Sequence, residues 1–287
     1  MRTGTTAPEV VVDVRASIGA MRLIKDAQEL GLMRRAAEIS SGAHRRAMAR
    51  TRPGWFEYQV EAELAHEFLR SVRAGGCVSV DRCLRAQRLR IALSRQQPGA
   101  AGERSAADRR GLRVRGLRLG RHTHVSSRRA DSAGAQKAVY ELVLATQLAC
   151  IEAFAPGRPF HDYHQVAERA LAEGLIDLKL CEGSLDAVLE SGAYKQFYMH
   201  RAGHWLGLDV HDVGLYRVDG ASRLLEPGMV LTVEPGCYIR PADNVPEEFW
   251  DIGVRIEDDV LVTATGSENL TGATPKSLSE VEAACAR

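Results

Sequence analysis

The chain has 287 residues, 45% of them hydrophobic and 26% charged, with a formal net charge of +1. A chain of this length and composition can bury a sizeable core, as one large domain or two small ones, which excludes the disordered and fibrous classes. The small net charge gives no sign of a polyanionic partner, but it hides an uneven distribution. Residues 73–129 carry fifteen arginines, no lysine and three acids (Asp81, Glu103, Asp108), a local charge of +12 in a remainder of −11.

In chain order, residues 1–20 read as a tail with one short strand over residues 10–14. Pro8, Glu9 and Asp13 interrupt any apolar run there, so no signal peptide is expected. No segment approaches the roughly 20 apolar residues of a membrane span. From Lys25 the pattern turns helical, with Leu32, Ala36, Ile39 and Ala43 at three- and four-residue spacing. Pro53 and Gly54 break the chain, and residues 56–70 resume as an amphipathic helix. After the basic block, residues 133–154 form the longest helix candidate, stopped by Pro156 and Gly157, and another helix covers residues 161–173. Beyond Phe197, residues 229–233 and 253–263 are rich in β-branched residues and read as strands. The fold class is therefore α+β, with helices in the first two thirds and strands in the last. The six cysteines are scattered without a paired pattern, as expected of reduced thiols in a cytoplasmic protein.

Three segments carry the chemistry: MHRAGHWLGLDVHDVG (residues 199–214), LEPGMVLTVEPGCYI (225–239) and VRIEDDV (254–260). Strand alternation puts Val230, Thr232 and Glu234 on one face, and Arg255 and Glu257 on one face with Val254 and Ile256 on the other. Glu234 and Glu257 thus project from strands whose opposite faces are apolar, a costly position unless a cation or donor satisfies them. A purely structural alternative pairs Glu257 with Arg255 or a neighbouring strand. His200 and His204 form HxxxH, but Arg201 stands where the helical zinc-protease motif needs glutamate, and Gly203 and Gly207 favour a loop or strand end. One imidazole with two carboxylates suits manganese or cobalt better than a closed structural zinc site. His211 is a candidate for substrate contact or proton transfer.

These segments, with residues 21–40 and TGSENLT (265–271), closely resemble the catalytic domain of the bacterial Xaa-Pro aminopeptidases (aminopeptidase P). They are metallopeptidases of the pita-bread fold, related to prolidase and methionine aminopeptidase. The resemblance covers about residues 21–71 and 132–286. It implies a pita-bread domain over residues 21–287, with residues 1–20 the remnant linker of a missing N-terminal domain. It matches His204, Glu234 and Glu257 to metal ligands, with Glu234 also the general acid/base. His211 is implied in catalysis; His200, His211 and Arg255 line the substrate pocket. The implied cofactor is a pair of manganese ions, with cobalt or zinc as substitutes, and the implied substrate is a peptide with proline in second position.

The resemblance also exposes a gap. The family needs five metal ligands, and the other two are aspartates eleven residues apart in a pattern like IDAG…SDxTRTFP. They belong inside the basic block, where Asp108 and Asp131 are the nearest acids and neither has suitable neighbours or spacing. One choice of codons for residues 108–125, read from the second base with one T added at the end, gives Ile-Asp-Ala-Gly-Cys-Glu-Phe-Glu-Gly-Tyr-Ala-Ser-Asp-Val-Thr-Arg-Thr-Phe. That is the missing pattern. Residues from 78 onward, treated likewise, give a sequence resembling YPSIVASGPNACVLHY. The expectation is that residues 74–132 are an out-of-frame segment that disrupts the core strands of the first half and leaves the segment poorly ordered. At most one metal ion would then be held, and activity would be impaired. Unpaired sheet edges would also favour association of copies. Two other readings are open. A non-catalytic pita-bread protein could bind peptides or partners. A nucleic-acid arm could use the arginines of residues 112–115, but it lacks stacking aromatics and any recognised motif, so no specific nucleic-acid partner is expected. His122 and His124 read as a solvated pair in preference to substitute ligands.

Overall fold

Antiparallel strand pairs backed by long helices make up the molecule. The computed structural model describes residues 13–52, 55–72, 112–114, 117–119 and 132–286. The first helix, α1 (Arg15–Leu23), corrects part of the strand expected over residues 10–14. Asp13 accepts the Arg15 backbone N–H at 2.9 Å and pairs with its guanidinium, and Val14 already has helical dihedrals. The local hydrogen bond of a carboxylate at a helix start prevails here over the β preference of Val14; residues 10–12 lie outside the described residues.

Asp26 and Glu29 form a capping box that starts α2 (Ala27–Arg50). The buried stripe of α2 runs through Ala37, Ser41, His44 and Met48. Of the four positions expected to face the core, Ala43 does, Ala36 and Ile39 are half-buried, and Leu32 is exposed. Polar contacts help set that rotation. Ser41 Oγ lies 2.8 Å from Thr274 Oγ1, and Arg45 bonds the Ala273 carbonyl, turning this face to the C-terminal segment. Against α2, α3 (Glu57–Val72) packs Val60, Leu64 and Phe68 onto Ala43 and Ala47.

Within the basic block, the described backbone forms a hairpin of β1 (Leu112–Val114) and β2 (Leu117–Leu119), with Leu112 opposite Leu119 and Val114 opposite Leu117. This qualifies the expectation that the block supplies no strands. Leu-Arg-Val and Leu-Arg-Leu alternate with period two, a β pattern whatever their coding history. The other expectations for this block, including those on Asp108, Asp131, His122 and His124, lie outside the described residues.

After it, α4 (Ser132–Glu152) buries Val139, Val143, Gln147 and Cys150 at helical spacing and packs beside α5 (Asp162–Asp177). A short helix α6 (Leu185–Ser191) follows, capped by Ser184 and ended by Gly192 in the left-handed conformation. A hairpin of β3 (Arg217–Val218) and β4 (Ala221–Ser222) precedes the main strands.

Those strands position the site. β5 (Val230–Val233) pairs with β8 (Asp258–Val262), and β8 with β9 (Ser267–Asn269). β6 (Gly236–Tyr238) pairs with β7 (Gly253–Arg255), beside which β2 also runs. All these pairs are antiparallel, and the C-terminal helix α7 (Leu278–Cys285) packs near α2. The single strand expected over residues 253–263 is thus divided at Ile256 and Glu257. Its partner is divided at Glu234 and Pro235, because proline has no N–H to continue the ladder. Val233 faces Asp258 on one side of the break and Gly236 faces Arg255 on the other. Continuing either register sets Glu234 opposite Glu257 at a shared break in the ladder. Val254, Ile256, Asp258 and Val260 are buried in alternation with more accessible neighbours, as period two requires. Among the described residues no helix is long and apolar enough to cross a membrane, and Cys150, Cys181, Cys237 and Cys285 are free thiols.

Candidate active site

The segment carrying His204 runs antiparallel to β5. Glu234 N–H donates to the Ala202 carbonyl at 2.7 Å, Thr232 N–H to His204 O at 3.0 Å, and Leu206 N–H to Val230 O at 3.0 Å. The two backbones approach so closely at Gly203 that an added Cβ would sit 1.9 Å from the Thr232 carbonyl oxygen. That is why a glycine interrupts HxxxH, and why the segment is extended, as its glycines suggested, instead of helical.

This pairing brings His204 Nε2 to 3.2 Å from Glu234 Oε1. His204 Nδ1 lies 2.9 Å from the Trp205 carbonyl oxygen, which can only accept, so Nδ1 carries a proton. In a neutral ring Nε2 is then a bare lone pair facing a carboxylate oxygen. Two acceptors at that distance need a proton or a cation between them. Burial opposes charging His204, but the Glu234 hydrogen bond, the Trp205 carbonyl and the charges of Glu234 and Glu257 outweigh it and hold the pKa above the ordinary histidine value. Burial likewise pushes Glu234 up, and the His204 hydrogen bond with the Arg255, His204 and His200 charges prevails to hold it below the usual carboxylate range.

Thr232 sits behind this pair. Its Oγ1 accepts the His204 N–H at 3.0 Å and donates to Glu234 Oε1 at 3.1 Å. The other carboxylate oxygen of Glu234 takes Arg255 NH1 at 3.1 Å. Arg255 Nε donates to Tyr238 Oη at 2.6 Å, and Tyr238 Oη lies 3.1 Å from His200 Nε2. His200 Nδ1 is 2.8 Å from the Arg201 carbonyl, so Nδ1 holds a proton, and in the neutral ring Tyr238 donates to Nε2. His211 stacks on His204, ring centroids 4.1 Å apart and planes 17° apart. Glu257 is half-buried, and its charge acts on both His204 and Arg255.

The structure therefore brings together all six residues singled out from sequence. Arg255 pairs with Glu234 and also feels the charge of Glu257, so the structural alternative for Glu257 stays open. Among the described residues no three His, Cys, Asp or Glu side chains converge closely enough to enclose an ion by themselves. The donor set still fits a divalent cation: a fixed Nε2 lone pair, an opposed carboxylate, and a second carboxylate opposite in register. Sequence reasoning missed Tyr238 and the supporting role of Thr232. Thr232 had a signal in its alternation with Glu234; Tyr238, two residues past Gly236 on β6, had none.

A model of metallopeptidase family M24 matches residues 31–87 and 119–264. The chain is 38% identical to the Xaa-Pro aminopeptidase of Escherichia coli strain K12, an alignment covering 98% of this chain and 64% of that one. The structure of Pseudomonas aeruginosa aminopeptidase PepP superimposes with a TM-score of 0.78 at 39% identity, over 99% of this chain and 64% of that one. Aminopeptidase P from E. coli with the inhibitor Pro-Leu gives 0.78 at 34% identity, with the same two coverages. The chain thus spans 64% of the length of these relatives.

Proposed function

On the premise that this chain belongs to metallopeptidase family M24, with its α+β pita-bread fold, we propose that it is an aminopeptidase of Xaa-Pro type whose activity is impaired. Its substrates would be peptides with proline in second position. The observation that carries the reading is the opposition of His204 Nε2 and Glu234 Oε1 at 3.2 Å, stacked under His211 and closed by Arg255. The similarity to Xaa-Pro aminopeptidases supports the substrate class.

His204, Glu234 and Glu257 would hold the divalent ion, manganese for preference, with cobalt or zinc as substitutes. When bound, it supplies Lewis acidity toward the scissile carbonyl and lowers the pKa of water. The chain's own residues do the rest. Glu234 accepts a proton on the oxygen shared with His204 and returns it to the leaving amine. The Trp205 carbonyl keeps the His204 lone pair turned inward, and Thr232 holds the His204 backbone and the Glu234 carboxylate. His200 and His211 meet the peptide, with His211 placed to exchange a proton at its rim. Arg255 balances the carboxylate charge through its 3.1 Å contact with Glu234 and holds Tyr238 against His200.

Impairment follows from the donor count. Three ligands are present where the family pattern needs five, and the family match is interrupted between residues 87 and 119, inside the basic block. An out-of-frame reading within residues 74–132 accounts for that interruption and for the missing aspartates together, although the family match itself runs on through residues 74–87 and 119–132. A non-catalytic peptide binder is the second reading, favoured by the lack of an enclosing cage among the described residues. Metal analysis after dialysis against manganese tests both. At most one ion per chain with trace cleavage of a Xaa-Pro peptide is expected. Two ions and turnover like that of intact relatives would overturn the impairment; no ion at all, with peptide still bound, would favour the binder. Gene sequencing tests the frame: an open reading frame without a compensating insertion and deletion against its relatives refutes it.

A further inference from the structure

His211 is bracketed by two acids, Asp209 and Asp212, and both are gripped from the far end of the sequence. One guanidinium nitrogen of Arg22, on α1, lies 2.8 Å from Asp209 Oδ2 and also bonds Asp212 Oδ1. The two acids differ in setting: the Asp212 side chain is 1% exposed and that of Asp209 is 64% exposed. Asp212 Oδ1 further accepts the Val213 N–H at 2.9 Å, and Lys25 Nζ, itself buried, stands 3.9 Å from Oδ2.

The turn between the acids is closed by its own backbone. Asp212 N–H donates to Trp205 O at 3.0 Å, and Gly207 N–H to Asp209 O at 3.2 Å. A Cβ at Gly207 would fall 1.9 Å from Asp212 Oδ2, so the buried carboxylate occupies the space a side chain would need. α1 seats against the end of the same segment, where a Cβ on Gly19 would lie 3.6 Å from the Gly214 nitrogen. Arg22 and Lys25 precede residue 31, where the family match begins.

We infer that Arg22 is a positioning residue for His211, bridging Asp209 and Asp212 so that the imidazole between them is held stacked on His204. A contact to one acid would leave the turn free to pivot; a bridge across both flanks fixes the peptide planes on either side of the ring. An arginine suits this because a single terminal guanidinium nitrogen carries two N–H donors, one for each carboxylate. α1 (Arg15–Leu23), whose first part falls in the expected linker of residues 1–20, is thereby part of the site's framework. The functional half of the inference rests on the proposed role of His211 in meeting the peptide.

The test uses the full chain, with the His211 ring signal in aromatic ¹H–¹³C spectra identified by its loss in His211→Gln. Arg22→Met should shift and broaden that signal as the stacking on His204 is released, and weaken binding of the dipeptide Pro-Leu about tenfold, the scale of lost outer-shell support. Arg22→Lys should give an intermediate shift. Asp209→Asn, at an exposed site that does not threaten folding, should shift the signal in the same direction and decides the question if Arg22→Met fails to fold. An unmoved His211 in both Asp209→Asn and Arg22→Lys overturns the inference. So does a moved His211 with unchanged Pro-Leu affinity. If the unaltered chain does not bind Pro-Leu, the peptide reading falls, while a moved ring still upholds the positioning role.

Discussion

Replacing Thr232 by valine keeps the shape of a side chain at the centre of the site and removes only its hydroxyl. That hydroxyl makes two bonds, accepting the His204 N–H at 3.0 Å and donating to Glu234 at 3.1 Å. Thr232 is 1% exposed, so water cannot replace either partner. An orphaned buried N–H costs about 1–3 kcal/mol, and a lost bond to a charged group about 1.5–3 kcal/mol. The added methyl returns about 0.8 kcal/mol. Thr232→Val should therefore destabilise the fold by roughly 2–5 kcal/mol. The same loss frees the Glu234 carboxylate and loosens the backbone that carries His204, so manganese affinity should drop by about 10- to 100-fold, as for other second-layer partners of metal ligands. Urea unfolding gives the first number and titration calorimetry with manganese chloride the second. A destabilisation below about 1 kcal/mol, with metal affinity unchanged, would refute the argument that Thr232 orients the pair.

Three further outcomes follow from the same structure. Lys276 Nζ lies 2.7 Å from Asp258, a carboxylate also held by Gln147, Asn269 and Thr271; Lys276→Met should cost about 2–4 kcal/mol, near the low end for a broken buried pair because those neutral donors remain. In Asp258→Asn with Lys276→Met much of that loss should return, and urea unfolding of both variants showing equal destabilisation would count against the ion-pair account. Burial lowers the pKa of Lys25, against the opposing charges of Asp212 and Glu29, so the unfolded chain binds more protons in the window below the ordinary lysine value of 10.5 and stability should rise with pH through it. Lys25→Met should flatten that rise in urea unfolding series taken between about pH 7 and 10, and an unchanged slope would contradict it. Arg255→Lys should weaken peptide and metal binding together, since a point charge cannot reach both Glu234 and Tyr238; calorimetry showing either binding constant intact would count against the shared role.

How much of this was legible beforehand depends on the range of each interaction. The capping residue Asp26, the break at Pro53 and Gly54, the long helix before Pro156 and the strands rich in valine are local signals, and a reader of the sequence finds them. The extended character of the His204 segment was also readable, because Gly203 and Gly207 argue against a helix. The division of residues 253–263 into β7 and β8 was not. It depends on Pro235, twenty residues earlier, interrupting the ladder of the opposite strand at the same place. The stripe on α2 was misjudged at Leu32 because the contacts of Ser41 and Arg45 with the C-terminal segment set the helix's rotation.

By itself the sequence marked which side chains are candidates for chemistry: the motifs and the family resemblance they carry single out His204, Glu234 and Glu257 as candidate ligands, and the composition of the basic block marks what is missing from the pattern. Only the tertiary structure decided how those residues are aimed. The strand register that opposes Glu234 to Glu257, the Trp205 carbonyl that fixes the His204 tautomer, and the reach of Arg22 across some 190 positions to Asp212 join residues with no periodic relation in the chain. Local spacing encodes secondary structure because backbone geometry repeats; contacts between remote segments depend on how whole elements pack, and no short-range pattern carries that.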